Sequence, residues 1–359
     1  MAAIAPPDGP ALPIPRLRRE LLDWYDGARR GLPWRAAPGT LPDPWHVLVS
    51  ELMLQQTTVA TVQGRFAPFL ARFPTLETLA GASLDEVLHA WQGLGYYRRA
   101  RALHACAQAV VERHGGQLPL EADVLAELPG VGGYTAAAVA AIAGERPAVP
   151  VDANVERVLS RMLAVETPLP AARPRLRAAA GRFAAPERAG DFAQALMELG
   201  ALVCTPRRPA CLACPWRSWC QAARCHDPET FPRKVARGAR AVRHATAFLL
   251  ERADGAVLFR RRPLDGPLGG MVELPSTPWL ADPAAAAAAV AASAPAAARW
   301  SPVAGAVRHV FTHVDLTVTL VRGTTATAEE GMWTRPFRFP ELALPTLTKK
   351  LLRHAGLRW

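Results

Sequence analysis

From Pro15 to about Ala223 apolar residues recur at spacings of three and four, the period of helices that bury one face. Turn signals at Pro74, Gly115-Gly116 and Pro129-Gly130 cut this stretch into short helices. Residues 228–243 (PETFPRKVARGARAVR) are polar, basic and marked by Pro and Gly, and read as a linker. Beyond them the period falls to two. Thr246–Leu250, Val257–Arg261 and His309–Val321 are predicted strands, the last with Val310, Thr312, Val314, Leu316, Val318 and Leu320 on one side. An alanine-rich stretch from Pro283 to Ala298 predicts a surface helix between these strands, so the second half should be α+β. The pattern divides the chain into a disordered N-terminus (1–14), a mainly α domain (15–227), the linker (228–243) and an α+β domain (244–359).

Two helical segments depart from the usual amphipathic pattern. In Trp45–Thr57 apolar residues occur nearly all round the helix, with Val47, Leu48 and Leu54 one turn from Glu51, which predicts that Glu51 is buried. A buried carboxyl without a strong partner is held neutral and can act as a general acid. In Val151–Arg161, Asp152 is placed to cap a helix starting near Ala153, where the helix dipole should keep it ionised. One neutral and one charged carboxyl divide the labour of glycoside hydrolysis. Between these segments, Leu128–Thr135 breaks one helix and opens another, with Gly130, Gly132 and Gly133 in the turn. Glycines there let a phosphate approach the free N–H groups of the new helix, as in a helix-hairpin-helix that grips DNA without reading sequence.

Charge points to the same partner. The net charge is +11 over 359 residues; residues 204–243 hold nine Arg and Lys against Asp227 and Glu229, or +7. So focused a patch favours a phosphate backbone over a merely solvated face. No stretch is apolar enough to span a bilayer, and no apolar run precedes the first arginines, so a cytoplasmic chain with reduced thiols is expected. Cys204, Cys211, Cys214 and Cys220 then form C-x6-C-x2-C-x5-C, a metal site in place of a disulfide pair. A single C-x2-C with wide, unequal gaps favours an iron–sulfur cluster, with Zn2+ the alternative.

Leu32-Pro33-Trp34-Arg35, Ser50–Thr57 (SELMLQQT), Gln92–Tyr97 (QGLGYY), the hairpin 128–135, Val151–Arg157 and the four cysteines together resemble the MutY-type adenine DNA glycosylases of the endonuclease III superfamily, along nearly the whole chain. The resemblance implies a six-helix barrel with helix-hairpin-helix and iron–sulfur modules, followed by a MutT-like domain. It implies a [4Fe–4S] cluster on Cys204, Cys211, Cys214 and Cys220, and a monomer acting on double-stranded DNA that contains adenine opposite 8-oxoguanine. The adenine would be flipped into a pocket; Glu51 would protonate it at N7, Asp152 would stabilise the oxocarbenium-like sugar, and Tyr134 and Asn154 would support the pair. Trp34, Arg35, Gln56, Thr57, Leu94, Tyr96, Gly130, Gly132, Thr312 and His313 match DNA-contacting positions, with Gln56, Leu94 and Tyr96 wedging into the duplex.

Three positions refine this. Strand-cutting relatives carry lysine where Tyr134 stands, so base release without scission is expected. Glu156 replaces a lysine found in some relatives, which makes incidental covalent trapping on DNA less favourable. Gly269–Glu273 is followed by prolines and alanines, so the glutamates a Nudix hydrolase needs for Mg2+ are missing and the second domain should recognise without hydrolysing. Phe311-Thr312-His313 matches the family's Phe-Ser-His loop with Thr for Ser. Arg207, Arg208 and Arg217 are expected on the cluster loop, Cys106 in a helix core and Cys225 in the linker. The rivals are an endonuclease III-like glycosylase/lyase acting on oxidised pyrimidines, a non-catalytic iron–sulfur DNA-binding protein, and a nucleotide pyrophosphohydrolase seated in the second domain.

Overall fold

The computed structural model describes residues 12–225, 227–235, 238–326 and 331–359; Ala236 and Arg237 of the expected linker and most of the expected disordered N-terminus lie outside that set. The helices are α1 (Ile14–Ala28), α2 (Pro44–Leu54), α3 (Val59–Arg72), α4 (Leu76–Ala80), α5 (Leu84–Ala90), α6 (Arg98–His114), α7 (Ala122–Ala126), α8 (Gly133–Gly144), α9 (Ala153–Met162), α10 (Arg173–Gly181), α11 (Ala189–Leu202) and α12 (Gln221–Arg224). Strands β1 (Ala241–Arg252), β2 (Val257–Arg261) and β3 (Val272–Glu273) precede α13 (Pro283–Ala288) and α14 (Val290–Ser293). Strands β4 (Ser301–Val310), β5 (Val314–Thr325) and β6 (Met332–Thr334) and helix α15 (Thr346–His354) complete the chain.

The chain forms two compact units, one of Met1–Ala80 with Ala105–Ala236, the other of Gly81–His104 with Arg237–Trp359. In the first, α2 is buried from Trp45 to Met53 apart from His46, and α8 from Ala138 to Ala143, because apolar residues surround one axis and alanines the other. Their neighbours α1, α9, α10 and α11 share a core of Leu17, Tyr25, Leu159, Phe183, Phe192 and Trp216. Two glycines of α11 set its distance from its neighbours. A Cβ on Gly190 would stand 2.9 Å from the Ala141 carbonyl oxygen, and one on Gly200 would stand 2.6 Å from the Asn154 Cβ. Both approaches are closer than any side chain allows.

In the second unit the sheet order is β3-β2-β1-β5-β4, with β6 also on β2. Strands β1 and β5 run parallel in register from Ala241↔Val314 to Arg252↔Thr325, and the other pairings are antiparallel. Leu249, Phe259, Leu316, Phe339 and Leu351 fill the core between sheet and α15. Two expectations need correction. The single strand predicted over His309–Val321 is broken at Phe311–His313, where the Phe311 N–H donates to the Val314 carbonyl at 2.7 Å and reverses the chain between β4 and β5. Alternation of polar and apolar residues cannot reveal such a turn, because both arms keep the same period. The alanine-rich stretch forms two short helices, α13 and α14, and ends before Pro295, which cannot continue a helix.

Segment Gly81–His104 is fastened within the second unit by polar contacts. Lys349 Nζ donates to Gln92 Oε1 at 2.6 Å, and Gln92 Nε2 to the Leu342 carbonyl at 2.8 Å. Arg261 pairs with Asp85, and Arg101 with the Gly269 carbonyl.

Candidate active site

Glu51 sits midway along α2 with only 7 % of its surface exposed. The Tyr134 hydroxyl, from the first turn of α8, donates to Glu51 Oε2 at 2.7 Å and lies 3.3 Å from Met197 Sδ on α11. Burial pushes the Glu51 carboxyl up to about 7; the Tyr134 hydrogen bond opposes this, the negative Asp152 adds to it, and Arg35 opposes it. Glu51 is thus buried as the apolar surroundings in α2 predict, but it has a hydrogen-bond partner, Tyr134, that this pattern does not predict. Burial, reinforced by both carboxylates, likewise raises Tyr134 well above the ordinary tyrosine value, so it stays protonated and keeps donating.

Asp152 caps α9, accepting from the Val155 N–H at 2.7 Å, and Asn154 Nδ2 donates to its other oxygen at 2.9 Å. Its carboxyl lies above the usual aspartate range. Burial raises it and outweighs the N–H donors of Val155 and Asn154 and the charge of Arg157, so the helix terminus does not hold it as low as the sequence suggests. Asn154 is itself held: Arg157 Nη2 donates to Asn154 Oδ1 at 2.9 Å and to the Gly200 carbonyl at 2.7 Å, and Arg157 Nε donates to the Cys204 carbonyl at 2.7 Å. A continuous chain of hydrogen bonds thus runs from a cluster cysteine to Asp152. Glu156, one turn along, pairs with Arg173 at 2.7 Å.

Sequence reasoning missed Glu198 on α11. Glu198, 1 % exposed, accepts from Arg30 and from Arg35 at 2.8 Å; burial raises its carboxyl, but the two arginines outweigh that and bring it to about 2. Arg35 is therefore half of a buried ion pair, and Trp34 packs edge-on against Phe66. A lone acid in the apolar run Ala195–Leu199 was the available signal, the same one that identified Glu51.

The candidate DNA contacts fall into two groups. Gly130, Gly132 and Gly133 are partly or fully exposed in the α7–α8 turn, with Gly130 at φ +73° and open space around Gly132 and Gly133, so the first N–H groups of α8 are accessible. Gln56 (φ +57°) and Tyr96 (φ +46°) both hold left-handed backbone, a strained conformation for such residues, and both are exposed. Thr57, beside Gln56, is half-buried. Leu94 is buried, so in its segment only Tyr96 offers a wedge. Within the second unit the Tyr96 hydroxyl lies 2.7 Å from Thr312 Oγ1, which brings two of the expected residues together; Thr312 and His313 are both exposed.

The four cysteines line a cavity of about 20 Å3 together with Arg161, Arg217 and Pro209. Four cysteine sulfurs around one shared space are the donor set of an iron–sulfur cluster. Arg161, 1 % exposed, donates to Cys204 Sγ at 3.3 Å and to the Thr205, Pro206 and Phe231 carbonyls, supplying positive charge beside thiolates. Arg207, Arg208 and Arg217 are exposed on the same loop, Cys106 is buried in α6, and Cys225 is exposed after α12. No helix among the described residues is long and apolar enough to cross a membrane.

Comparisons with known proteins agree with this geometry. Residues 49–179 match the HhH-GPD superfamily of base excision DNA repair proteins, 204–220 the iron–sulfur binding domain of endonuclease III, and 246–354 the NUDIX domain. Those four cysteines are accordingly the site of a [4Fe–4S] cluster. A solved thermostable thymine-DNA glycosylase superposes on 59 % of the chain and 97 % of its own, with TM-score 0.53 and 28 % identity. An endonuclease III–DNA complex shares the fold over 60 % of the chain, with TM-score 0.50 and 21 % identity. The adenine DNA glycosylase of Mycolicibacterium smegmatis is 45 % identical over 55 % of the chain and 69 % of its own length. That of Homo sapiens is 36 % identical over 95 % of the chain and 74 % of its own length. By identity and by coverage, this chain belongs to the adenine DNA glycosylase family.

Proposed function

We propose that this hydrolase of N-glycosyl bonds in DNA removes adenine paired with 8-oxoguanine, or with guanine, and leaves the strand uncut. The observation that carries the reading is the pair of carboxyls on α2 and at the cap of α9, close enough for the Asp152 charge to raise Glu51, with a tyrosine hydroxyl bonded to one and an asparagine amide to the other. Glu51, in its protonated form, gives its proton to N7 of the extruded adenine, so that the base leaves as a neutral group. Asp152 faces the sugar as positive charge develops there, and water completes the hydrolysis. Asn154 fixes the Asp152 carboxylate and Tyr134 fixes Glu51. Tyr134 offers no amine for a Schiff base, so no lyase step follows.

DNA is the partner, and the domains share the work. The first unit carries the chemistry and the cluster; the second, whose sheet begins at Ala241 within the expected linker 228–243 and which also takes in Gly81–His104, inspects the opposite base through Thr312 and His313. Gln56 and Tyr96 occupy the duplex beside the lesion, the hairpin glycines hold a phosphate, and Trp34, Arg35 and Thr57 border the base site. The chain acts as a monomer in the cytoplasm, on the nucleoid. The [4Fe–4S] cluster, when bound, supplies a structural anchor that aims Arg207, Arg208 and Arg217 at phosphates.

Single-turnover base release from three duplexes tests this reading. Adenine opposite 8-oxoguanine should be released fastest, adenine opposite guanine more slowly and an oxidised pyrimidine not at all, without cleavage before alkali. Strand scission on the pyrimidine duplex would move the chain to the lyase class. Unchanged adenine release in Glu51→Gln or Asp152→Asn would remove the two carboxyls from the chemistry.

A further inference from the structure

Apart from the residues used above, the second unit holds a cleft of about 360 Å3 whose walls include Arg260, Arg262, Glu273, Ser276, Trp279 and Ser293. This volume lies at the lower end of the roughly 300–1,000 Å3 typical of small-molecule sites. Two cations face one anion there. Glu273, almost fully buried, receives Arg260 at 2.9 Å and Arg262 at 2.7 Å, which leaves one positive charge in excess. Among the described residues the Arg262 side chain donates to Glu273 alone, so part of its donor fork has no protein acceptor. Its plane is nonetheless fixed: the guanidinium carbon lies 4.5 Å from the Trp279 ring centre, and Trp279 stacks in turn on Phe311 at 5.3 Å. Arg260 is steadied by the Ser276 carbonyl and hydroxyl, both at 3.3 Å.

A pre-set guanidinium with spare donors, an excess of positive charge and hydroxyls along the wall match a tetrahedral oxyanion. Trp279 is already engaged by Arg262 and Phe311, so the charged group is what the cleft can recognise, with little left to grip an aromatic ring. We propose that this cleft is an anion site that takes the phosphate of a phosphomonoester, with Arg262 as its principal ligand and Arg260, Ser276 and Ser293 assisting. The site needs no metal and is built wholly from residues of the second unit. Its floor, Trp279, touches the first residue of the Phe311–His313 turn, so an occupant is reported directly at that turn.

The test uses the full, cluster-loaded chain labelled with 5-fluorotryptophan, with the Trp279 signal identified among the ten tryptophans by Trp279→Phe. Inorganic phosphate, a nucleoside monophosphate and the bare nucleoside are titrated at constant ionic strength balanced with chloride. The Trp279 fluorine signal should shift saturably with both phosphates and not with the nucleoside. Arg262→Gln should weaken that binding about tenfold or more, as loss of a charge-assisted donor does, while adenine release in the absence of phosphate stays unchanged. Ser276→Ala, which keeps both arginines, should weaken it a few-fold and guards against misfolding in the first variant. A saturable shift produced by duplex DNA and competed by phosphate would assign the same site to a backbone phosphate. No shift, an equal response to chloride, or identical saturation in Arg262→Gln would overturn the proposal.

Discussion

At the scale of single residues, the acid is set by what surrounds it. Glu51 must be neutral to donate, and its carboxyl is raised to about 7, so adenine release should be fast below that pH and fall as pH rises through it. The Tyr134 hydroxyl lowers the Glu51 value, so Tyr134→Phe should move the falling limb to higher pH in single-turnover profiles. A limb that stays put, or moves to lower pH, would separate Tyr134 from the acid. Glu51→Gln, which keeps the shape and removes the proton, should cut the rate by about 10²-fold or more with duplex affinity retained. Glu51 was legible in the sequence because a charged residue amid apolar neighbours on every side of a helix has to be buried. Its tyrosine partner, 83 residues along the chain, came from a matched motif, since no local pattern encodes a contact at that range.

At the scale of elements, the first turn of α9 is where fold and chemistry meet. Asp152 closes the helix terminus and, in the proposed reaction, faces the sugar, so two substitutions separate its roles. Asp152→Asn retains an acceptor for the Val155 N–H and should lose activity with little change in melting temperature. Asp152→Ala should lose activity and about 1 kcal/mol of stability as well, the usual cost of an empty cap. The same turn rests against Gly200 of α11, where an added methyl would collide with the Asn154 Cβ. Gly200→Ala should therefore depress the rate by shifting Asn154 and Asp152 while circular dichroism stays helical; full activity in that variant would mean that the turn tolerates displacement. The cap could be read from the sequence, because an aspartate ahead of a helical run has one common use. The close approach could not, because a glycine inside a helix announces neither which neighbour it admits nor at what distance. The chain reversal at Phe311–His313 stayed hidden for a related reason: strands on both sides of a short turn keep one alternation.

At the scale of the whole molecule, charge governs the encounter with DNA. The excess of +11 is concentrated after Cys204, and Arg207, Arg208 and Arg217 are exposed on the cluster loop. Affinity for undamaged duplex should fall steeply with salt, and replacing Arg207 and Arg217 by glutamine should flatten the log–log slope by about one unit for each phosphate no longer neutralised, whatever the sequence. An unchanged slope would mean that other cations meet the phosphates. That the chain has an α part followed by an α+β part was plain from the change of hydrophobic period. The membership of Gly81–His104 in the second unit was not, since it rests on bonds between distant stretches of chain, such as Lys349 to Gln92.

The parallel pairing of β1 with β5 has a consequence for how this protein is made. Ala241 leaves the ribosome well before its partner Val314, and until then a twelve-residue strand has no neighbour along one edge. Any message truncated ahead of that point yields a finished helical portion trailing a sticky ribbon. Such products should be recovered in inclusion bodies or cleared by proteases, even though Glu51, Tyr134, Asp152 and Asn154 have all been synthesised by then.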